Sequence, residues 1–210
     1  MAKIHPQAIV ESEQIGEGTC VWAFAHVLRG AQVGSNVNIG DHTFVEGGAV
    51  IGNNVTVKNQ VCIWEGISIE DDVFVGPRVT FTNDRYPRSP RMQAVRNKYA
   101  SRENWLCKTV VRTGCSIGAA ATICPGVELG PYSVIGAGAL VTHDVPAYAL
   151  MLGVPARHHG DVCTCGKPLD GAFDMAACLD CGETGSARLT ALKNLVAQSD
   201  HPVEAALPQV

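Results

Sequence analysis

Residues 33–57 read VGSNVNIGDHTFVEGGAVIGNNVTV, and a large aliphatic residue stands at every sixth position of this stretch. The series extends in steps of six from Ile9 to Phe81, where all thirteen positions are apolar, and it resumes between positions 111 and 141. The residue four places after each of these apolar residues is usually small or β-branched. A period of six is neither that of an α-helix nor that of a strand. It fits short strands joined by tight corners at which glycine and asparagine adopt positive φ.

Three such strands close one triangular coil, so residues 18 apart stack about 4.8 Å above one another in parallel register. This pattern, with about eighteen repeats across residues 5–157, resembles the hexapeptide-repeat family. The resemblance implies an all-β fold, a left-handed parallel β-helix, and a homotrimer with active sites between subunits. Several aromatic residues fall on outward or corner positions, where a trimer would cover them: Trp22, Phe24, Phe44, Trp64 and Phe74.

The composition excludes several classes of protein. The 210 residues are 46 % hydrophobic and 17 % charged, which is incompatible with intrinsic disorder. No apolar run approaches the roughly 20 residues of a membrane span, and the first residues do not read as a signal peptide. Nine cysteines without a secretory signal predict a reducing, cytoplasmic environment.

A long interruption of the repeat lies between Phe81 and Val111. Residues 83–108 hold seven basic and two acidic side chains, a local charge of +5 in a chain whose net charge is −4. A compact basic patch on an acidic protein favours a small anionic ligand over nucleic acid. Because long loops inside compact repeats are usually functional, we expect this inserted loop to cover a ligand site. A solvated charged loop is the alternative.

Counting back from Asn83 in steps of 18 gives Glu65, Gly47 and Arg29 at one corner of the coil. The adjoining outward face carries Cys62, Phe44 and His26 by the same count from Thr80. These residues should line one vertical strip beneath the loop, with Gly47 leaving room for a ligand. A plain ion pair between Glu65 and Arg29 is the structural alternative.

Four segments carry a closer resemblance: residues 73–77, 80–89 (TFTNDRYPRS), 21–24 and 65–66. They are similar to the N-acyltransferases of nucleotide-linked 3-amino sugars in surface-polysaccharide synthesis. The resemblance implies acetyl-CoA as the donor and the C3 amine of a UDP-linked sugar as the acceptor. The acceptor it suggests is UDP-2-acetamido-3-amino-2,3-dideoxy-glucuronate, an intermediate of lipopolysaccharide synthesis. A dTDP-linked 3-amino deoxysugar is the alternative acceptor.

The resemblance also distributes roles within the site. In this family the asparagine of the Thr-Asn-Asp stretch lies at the sugar, so Asn83 inherits that role. His26 is the side-chain candidate for a general base, since its reference pKa is near 6.5. The coenzyme A sulfur is the alternative proton acceptor. Six residues complete the predicted acceptor site: Arg29, Glu65, Asp84, Arg85, Tyr86 and Arg88.

The donor is expected in a groove beside the later coils, between subunits. Small residues there would let a pantetheine arm reach backbone amides, and Arg157 would contact a phosphate of coenzyme A. The donor residues predicted in this way are Ala119, Ala137, Gly138 and Arg157. Coil geometry alone also requires small residues at these positions, so the assignment rests mostly on the family.

Two cysteine pairs follow the end of the repeat: Cys163 with Cys165, and Cys178 with Cys181. Four thiolates suit tetrahedral Zn²⁺, and the pattern resembles a small zinc ribbon. The first pair has one intervening residue where two are usual, since Val162 occupies the expected cysteine position. Asp161 or His159 could substitute, and free thiols are the alternative. We therefore predict a β-helix domain over 1–160, a zinc ribbon over 161–185, and a short helix and tail over 186–210.

Two other functions known for such a fold fit the sequence less well. A γ-type carbonic anhydrase binds catalytic zinc through three histidines, but His26, His42 and His143 share no coil column here. A non-catalytic trimeric scaffold whose zinc ribbon docks a partner would leave the basic loop and the Asn83 strip without a role.

Overall fold

The computed structural model describes residues 1–171, 173 and 177–198 of the chain. Within them lie 22 short strands that form three sheets, one on each side of a triangular coil. The predicted all-β class, a parallel β-helix of six-residue repeats with one inserted loop, is confirmed. No described helix is long and apolar enough to cross a membrane.

The three sheets take their strands in turn along the chain. Sheet A contains β1 (Lys3–Ile4), β4 (Cys20–Val21), β7 (Asn38–Ile39), β10 (Thr56–Val57), β13 (Phe74–Val75), β16 (Ser116–Ile117), β19 (Val134–Ile135), β21 (Ala149–Leu152) and β22 (Arg157–Asp161). Sheet B contains β2 (Ile9–Val10), β5 (His26–Val27), β8 (Phe44–Val45), β11 (Cys62–Ile63), β14 (Thr80–Phe81), β17 (Thr122–Ile123) and β20 (Leu140–Val141). Sheet C contains β3 (Gln14–Ile15), β6 (Gln32–Val33), β9 (Val50–Ile51), β12 (Ile67–Ile69), β15 (Thr109–Val111) and β18 (Glu128–Leu129).

Successive coils pair in parallel at the predicted spacing, so that Thr56 lies beside Phe74. The second residue of a strand usually points inward, and these aliphatic side chains stack into one core; Ile39, Ile63 and Ile117 are each fully buried. The glycine after the aliphatic residue permits this stacking. A Cβ on Gly34 would lie 2.5 Å from the carbonyl oxygen of the glycine one coil above, so any side chain would push the coils apart.

The first coil departs from the predicted register. Ile9 lies beside His26 and Val10 beside Val27, a spacing of 17 residues rather than 18. Ile9 is 57 % exposed, whereas Val10 packs against the core. The prediction that Ile9 begins the inward series is therefore wrong, because a count in sixes assumes corners of constant length and this coil is one residue shorter.

The inserted loop leaves and re-enters the β-helix at one point. Strand partners that are 18 residues apart in the regular coils are 42 apart across it, as for Phe81 and Ile123, so the loop adds 24 residues to one coil. Asp84 and Leu106 form an antiparallel bridge, and the Cys107 N–H donates to the Asn83 carbonyl at 2.9 Å. We call residues 83–84 and 106–107 the neck. Beyond it the chain forms three short 3-10 helices: Gln93–Val95, Lys98–Ala100 and Arg102–Asn104.

The C-terminal segment packs on the last coil. Strand β22 turns back antiparallel to β21, so it continues sheet A across the predicted boundary at residue 160. Helix α1 (Gly185–Gln198) begins one residue before the segment 186–210 in which a short helix is predicted. A second apolar cluster joins this segment to the β-helix and comprises Ala147, Tyr148, Val162, Phe173 and Leu192. The predicted tail after Gln198 lies outside the described residues.

Candidate functional site

One corner of the coil, between sheets B and C, gathers the predicted acceptor residues. Asn83 Nδ2 donates to the Glu65 carbonyl at 3.1 Å, and a Cβ on Gly47 would lie 2.5 Å from the Arg29 carbonyl. The column of Arg29, Gly47, Glu65 and Asn83 therefore exists as the 18-residue count predicts. We call it the Asn83 corner. The sequence predicted that Gly47 leaves room for a ligand, but the Arg29 carbonyl fills the space where a Gly47 side chain would lie, so this glycine serves the close stacking of the coils.

Asp84, the next residue, does not point toward a ligand site. Lys98 Nζ donates to its two carboxylate oxygens at 2.7 and 2.9 Å. The Tyr99 hydroxyl donates to Oδ2 at 2.8 Å, and the Tyr86 N–H donates to Oδ1 at 2.9 Å. A carboxylate offers about four acceptor positions, so these four contacts saturate it. The prediction that Asp84 binds substrate therefore conflicts with the geometry, which assigns this side chain to holding the loop together.

The surroundings of Asp84 favour its charged form. Burial raises the pKa of Asp84, but the hydrogen bonds from Lys98, Tyr99 and the Tyr86 backbone outweigh burial and hold the pKa below its usual value. Burial likewise lowers the pKa of Lys98, and the contacts with Asp84 and Tyr99 raise it above its usual value. The pair is ionised at neutral pH. We call Asp84, Lys98 and Tyr99 the clamp.

The remaining predicted loop residues have different surroundings. Arg85 reaches back to the β-helix, where Nη2 donates to the Pro125 carbonyl at 3.3 Å. Tyr86 is 75 % exposed, and the Arg88 guanidinium donates only to the neighbouring Pro87 carbonyl at 3.0 Å among its described contacts. The side chains of Tyr86 and Arg88 are therefore available to a ligand, whereas Arg85 also fixes the loop.

Glu65 pairs with the loop instead of with Arg29. The Arg102 Nε atom lies 2.7 Å from Glu65 Oε1, and the Arg102 side chain is 73 % exposed. An ion pair with so exposed a partner contributes little stability. The backbone N–H of Glu65 donates to Glu46 at 2.8 Å, which adds a second carboxylate to this corner. Sequence reasoning missed Arg102, Lys98 and Tyr99 as individual residues, although it counted the two cations in the basic patch.

His26 stands apart from Asn83. Its Nε2 atom lies 3.1 Å from Glu11 Oε1, and its ring meets Phe44 edge-on. The register places Phe44 and Cys62 between His26 and Thr80, the strand residue of the Asn83 coil. Three coil steps of about 4.8 Å separate the two by about 14 Å. Within one chain they cannot touch the same amine, so the predicted pairing of Asn83 with His26 as base is not supported.

The predicted donor residues lie together at the corner between sheets A and B. The Gly138 N–H donates to the Ala119 carbonyl at 2.8 Å, and the Ala156 N–H donates to Leu140 in the coil of Ala137 and Gly138 at 2.7 Å. Arg157 begins β22 just above this corner and is exposed. A Cβ on Gly138 would meet nothing within 4 Å. These residues leave an open, small-residue surface next to one cation.

The four predicted cysteines converge. Their sulfur atoms all lie within 4.8 Å of one another, with Sγ separations of 3.4 Å for Cys163 and Cys181 and 3.7 Å for Cys165 and Cys178. Four thiolates around zinc, each about 2.3 Å from the ion, stand about 3.8 Å apart, so the cluster fits a tetrahedral site. Val162 is fully buried in the second apolar cluster. Although only one residue separates Cys163 from Cys165, both of their sulfur atoms lie in the cluster of four.

The surroundings of the cluster shift the pKa values of its thiols in opposite directions. Backbone N–H groups of Cys181 and Asp180 lower the pKa of Cys178 to about 7, whereas burial and the Glu183 carboxylate raise the pKa of Cys163. Asp161, considered as a substitute ligand, instead pairs with His158 at 3.0 Å. The described residues thus supply a complete set of four sulfur ligands and no open position for catalysis.

A polar groove on the outer face of sheet C was not predicted. Its volume is about 670 Å³, and Arg112 lies in it with contacts of 2.7 Å to Glu70 and 2.8 Å to Glu128. Hydrogen bonds from the guanidinium to Glu128 and Glu70 raise the pKa of Arg112. Because Arg112 pairs with both carboxylates, this triad stabilises the face.

Comparisons with known proteins agree with this fold. The model of the bacterial transferase hexapeptide family (six repeats) matches residues 14–47 and 108–143. The chain is 46 % identical over 180 residues to the dTDP-3-amino-3,6-dideoxy-alpha-D-galactopyranose 3-N-acetyltransferase of Aneurinibacillus thermoaerophilus, covering 86 % of this chain and 88 % of the relative. The chain therefore belongs to the hexapeptide-repeat acetyltransferase family.

Other relatives share the repeat over shorter lengths. The galactoside O-acetyltransferase of Escherichia coli (strain K12) is 32 % identical over 91 residues, which are 43 % of this chain and 42 % of that protein. The acetyltransferase domain of PglB from Neisseria gonorrhoeae matches in fold with a TM-score of 0.50 at 20 % identity, covering 75 % of this chain and 57 % of that one. The prediction of an acyl-CoA-dependent acetyltransferase enzyme is confirmed at the level of the family.

Proposed function

We propose that the protein transfers the acetyl group of acetyl-CoA to the C3 amine of a dTDP-linked 3-amino-6-deoxy sugar. The observation that carries the proposal is the relative that is 46 % identical over 86 % of the chain, which acts on a sugar of this type. It favours the dTDP acceptor over the UDP-linked uronate that the loop motif first suggested. An acceptor site at this point is supported by the Asn83 corner and by the exposed side chains of Tyr86 and Arg88, which follow Asn83 closely in the chain.

The reaction needs an uncharged amine held in line with the thioester carbonyl. The amine nitrogen forms a bond to the carbonyl carbon, the carbon–sulfur bond breaks, and the departing thiolate of coenzyme A takes up the proton released from nitrogen. Orientation alone can supply much of the rate. Asn83 would hold the acceptor at the amine, and its amide is already fixed on the Glu65 carbonyl at 3.1 Å.

The other predicted residues retain proposed roles. Tyr86, Arg88 and Arg29 would bind the nucleotide diphosphate and sugar, and the Glu65 carboxylate would face the acceptor amine. The surface of Ala119, Ala137 and Gly138 would take the pantetheine arm, with Arg157 at a phosphate of coenzyme A. These assignments are independent of His26, which lies too far from Asn83 to act as the base within one chain.

We further propose a homotrimer with the site between subunits. Trp22, Phe24 and Phe74 are 48, 52 and 39 % exposed, and exposed aromatic residues on a flat solenoid face are typical of subunit contacts. The enzyme would function in the cytoplasm, where its nine cysteines stay reduced.

We propose that Cys163, Cys165, Cys178 and Cys181 hold a structural zinc ion. The ion would stabilise the segment that follows the β-helix by holding its two cysteine pairs together. The proposed organisation remains a β-helix domain over 1–160, a zinc ribbon over 161–185 and the segment 186–210.

The test is a thiol-release assay with acetyl-CoA and a panel of acceptors. The panel contains a dTDP-linked 3-amino-3,6-dideoxyhexose, the UDP-linked 3-amino uronate, the same sugars without nucleotide, and a galactoside. We expect thiol release with the dTDP-linked amine above all others. Faster thiol release with the UDP-linked uronate would show that the acceptor is UDP-linked and not dTDP-linked. No release with either nucleotide-linked amine would overturn the proposed function.

A further inference from the structure

The inserted loop is held in shape by polar contacts, and the densest cluster of them surrounds Asp84. None of its three 3-10 helices contains a buried residue, so it has no apolar core of its own. The Asp84 carboxylate is 11 % exposed in its side chain, and Lys98 is 22 % exposed. Lys98 Nζ also donates to the Tyr86 carbonyl at 2.6 Å, and the Arg88 N–H donates to the Tyr99 hydroxyl at 2.9 Å. The segment that enters the loop, residues 84–88, and the segment around Lys98 and Tyr99 therefore meet at the Asp84 carboxylate.

The clamp adjoins Asn83 directly. Asp84 follows it in sequence, and the neck fixes the backbone of Asn83 through the Cys107 N–H at 2.9 Å. On the other side of the clamp, Arg85 anchors on the Pro125 carbonyl at 3.3 Å. A Cβ on Gly126 would lie 3.3 Å from the Arg85 guanidinium, so the arginine lies closely against that coil. Asn83 is held by the β-helix, and the chain immediately after it is held by the clamp.

We propose that Lys98 and Tyr99 are positioning residues that act through Asp84 to keep Asn83 at the acceptor amine. The proposal rests on the proposed function, since it gives the same site a supporting layer. Asp84 then serves the reaction without touching the sugar. Loss of Lys98 leaves a largely buried carboxylate without its cation, and the loop must move to rehydrate it. A displacement of about 1 Å in a positioning group can lower turnover about 100-fold.

The first experiment compares Lys98→Met with Lys193→Met, a matched change at an exposed lysine of helix α1. We expect Lys98→Met to lower kcat about 10- to 100-fold and to leave the KM for acetyl-CoA unchanged. Tyr99→Phe, which removes one hydroxyl and keeps the ring beside Trp105, should lower kcat by a smaller factor. Unchanged kcat in both loop variants would overturn the proposal.

A double-mutant cycle tests whether Lys98 acts through Asn83. In the Asn83→Ala background, Lys98→Met should cause no further loss of kcat. Activity in this background is measured by long end-point incubations. A further loss equal to that in the wild type would mean that Lys98 contacts the substrate or acts elsewhere, and would overturn the positioning role. Unfolding temperatures of all variants identify any loss that comes from unfolding.

Hydrogen exchange separates this proposal from the proposed function. The Cys107 amide, which donates to Asn83, should exchange faster in Lys98→Met than in the wild type or Lys193→Met. Faster exchange in a protein that acetylates no amino sugar would reject the function and retain the clamp. Unchanged exchange at Cys107 in Lys98→Met would overturn the clamp, whatever the activity.

Discussion

Asn83→Ala separates the structural from the catalytic contribution of one side chain. The amide makes one described hydrogen bond, from Nδ2 to the Glu65 carbonyl at 3.1 Å. The net contribution of such a neutral bond is about 1 kcal/mol, which corresponds to a fall of about 2–4 °C in the unfolding temperature of a chain of this size. If the same amide orients the acceptor or stabilises the thioester oxyanion, its removal lowers kcat about 100- to 1000-fold.

The loop offers a matched control. Asn104 Nδ2 donates to the Asn97 carbonyl at 2.9 Å, so Asn104→Ala also removes one bond from an asparagine amide to a backbone oxygen. Both variants are compared by thermal unfolding and by steady-state thiol release with acetyl-CoA and the dTDP-linked amino sugar. We expect similar small losses of stability and a large loss of kcat only in Asn83→Ala. Equal kcat values in the two variants would refute the role of Asn83.

Three further predictions concern the supporting structure. Cys178→Ser should lower bound zinc, measured by metal analysis, from about one ion per chain, while circular dichroism still reports the β-helix; zinc content equal to the wild type would reject the site. The pKa of Asp84 is lowered on folding, so its contribution to stability is present at neutral pH and is lost as pH falls below about 4. Urea unfolding at several pH values should therefore show less acid destabilisation in Asp84→Asn, and an identical pH profile would contradict this. Gly114→Ala places a Cβ 2.4 Å from the Tyr132 ring. It should lower the free energy of unfolding by about 1–3 kcal/mol more than Gly30→Ala, which has a similar positive φ but whose Cβ meets nothing closer than 3.9 Å.

The repeat could be predicted from sequence because each inward position has a strict physical requirement. Val33, Ile39 and Val45 fill the same prism, and a polar residue at any of them would be buried without a partner. The count failed at Ile9, where one missing residue moved the inward position to Val10. The number of residues in a corner is set by local turn geometry, and the spacing of apolar residues does not reveal it.

The site was predictable only where it follows the coils. The column of Asn83 and Glu65 comes directly from the 18-residue spacing, and the structure contains it. The partners of Asp84 lie 14 and 15 residues away on an irregular loop, where no period links sequence distance to spatial distance. The 18-residue count places His26 on the same strip as Asn83, but it also places the two residues three coils apart. That separation excludes contact between them within one chain.

The most direct test of the central claim is the position of the transferred acetyl group. Wild-type protein is incubated with carbon-13-labelled acetyl-CoA and a dTDP-linked 3-amino-3,6-dideoxyhexose, and the product is examined by NMR. The account predicts an amide at the C3 nitrogen and an equal amount of free coenzyme A. An acetyl ester on a sugar hydroxyl, or no labelled sugar at all, would contradict it.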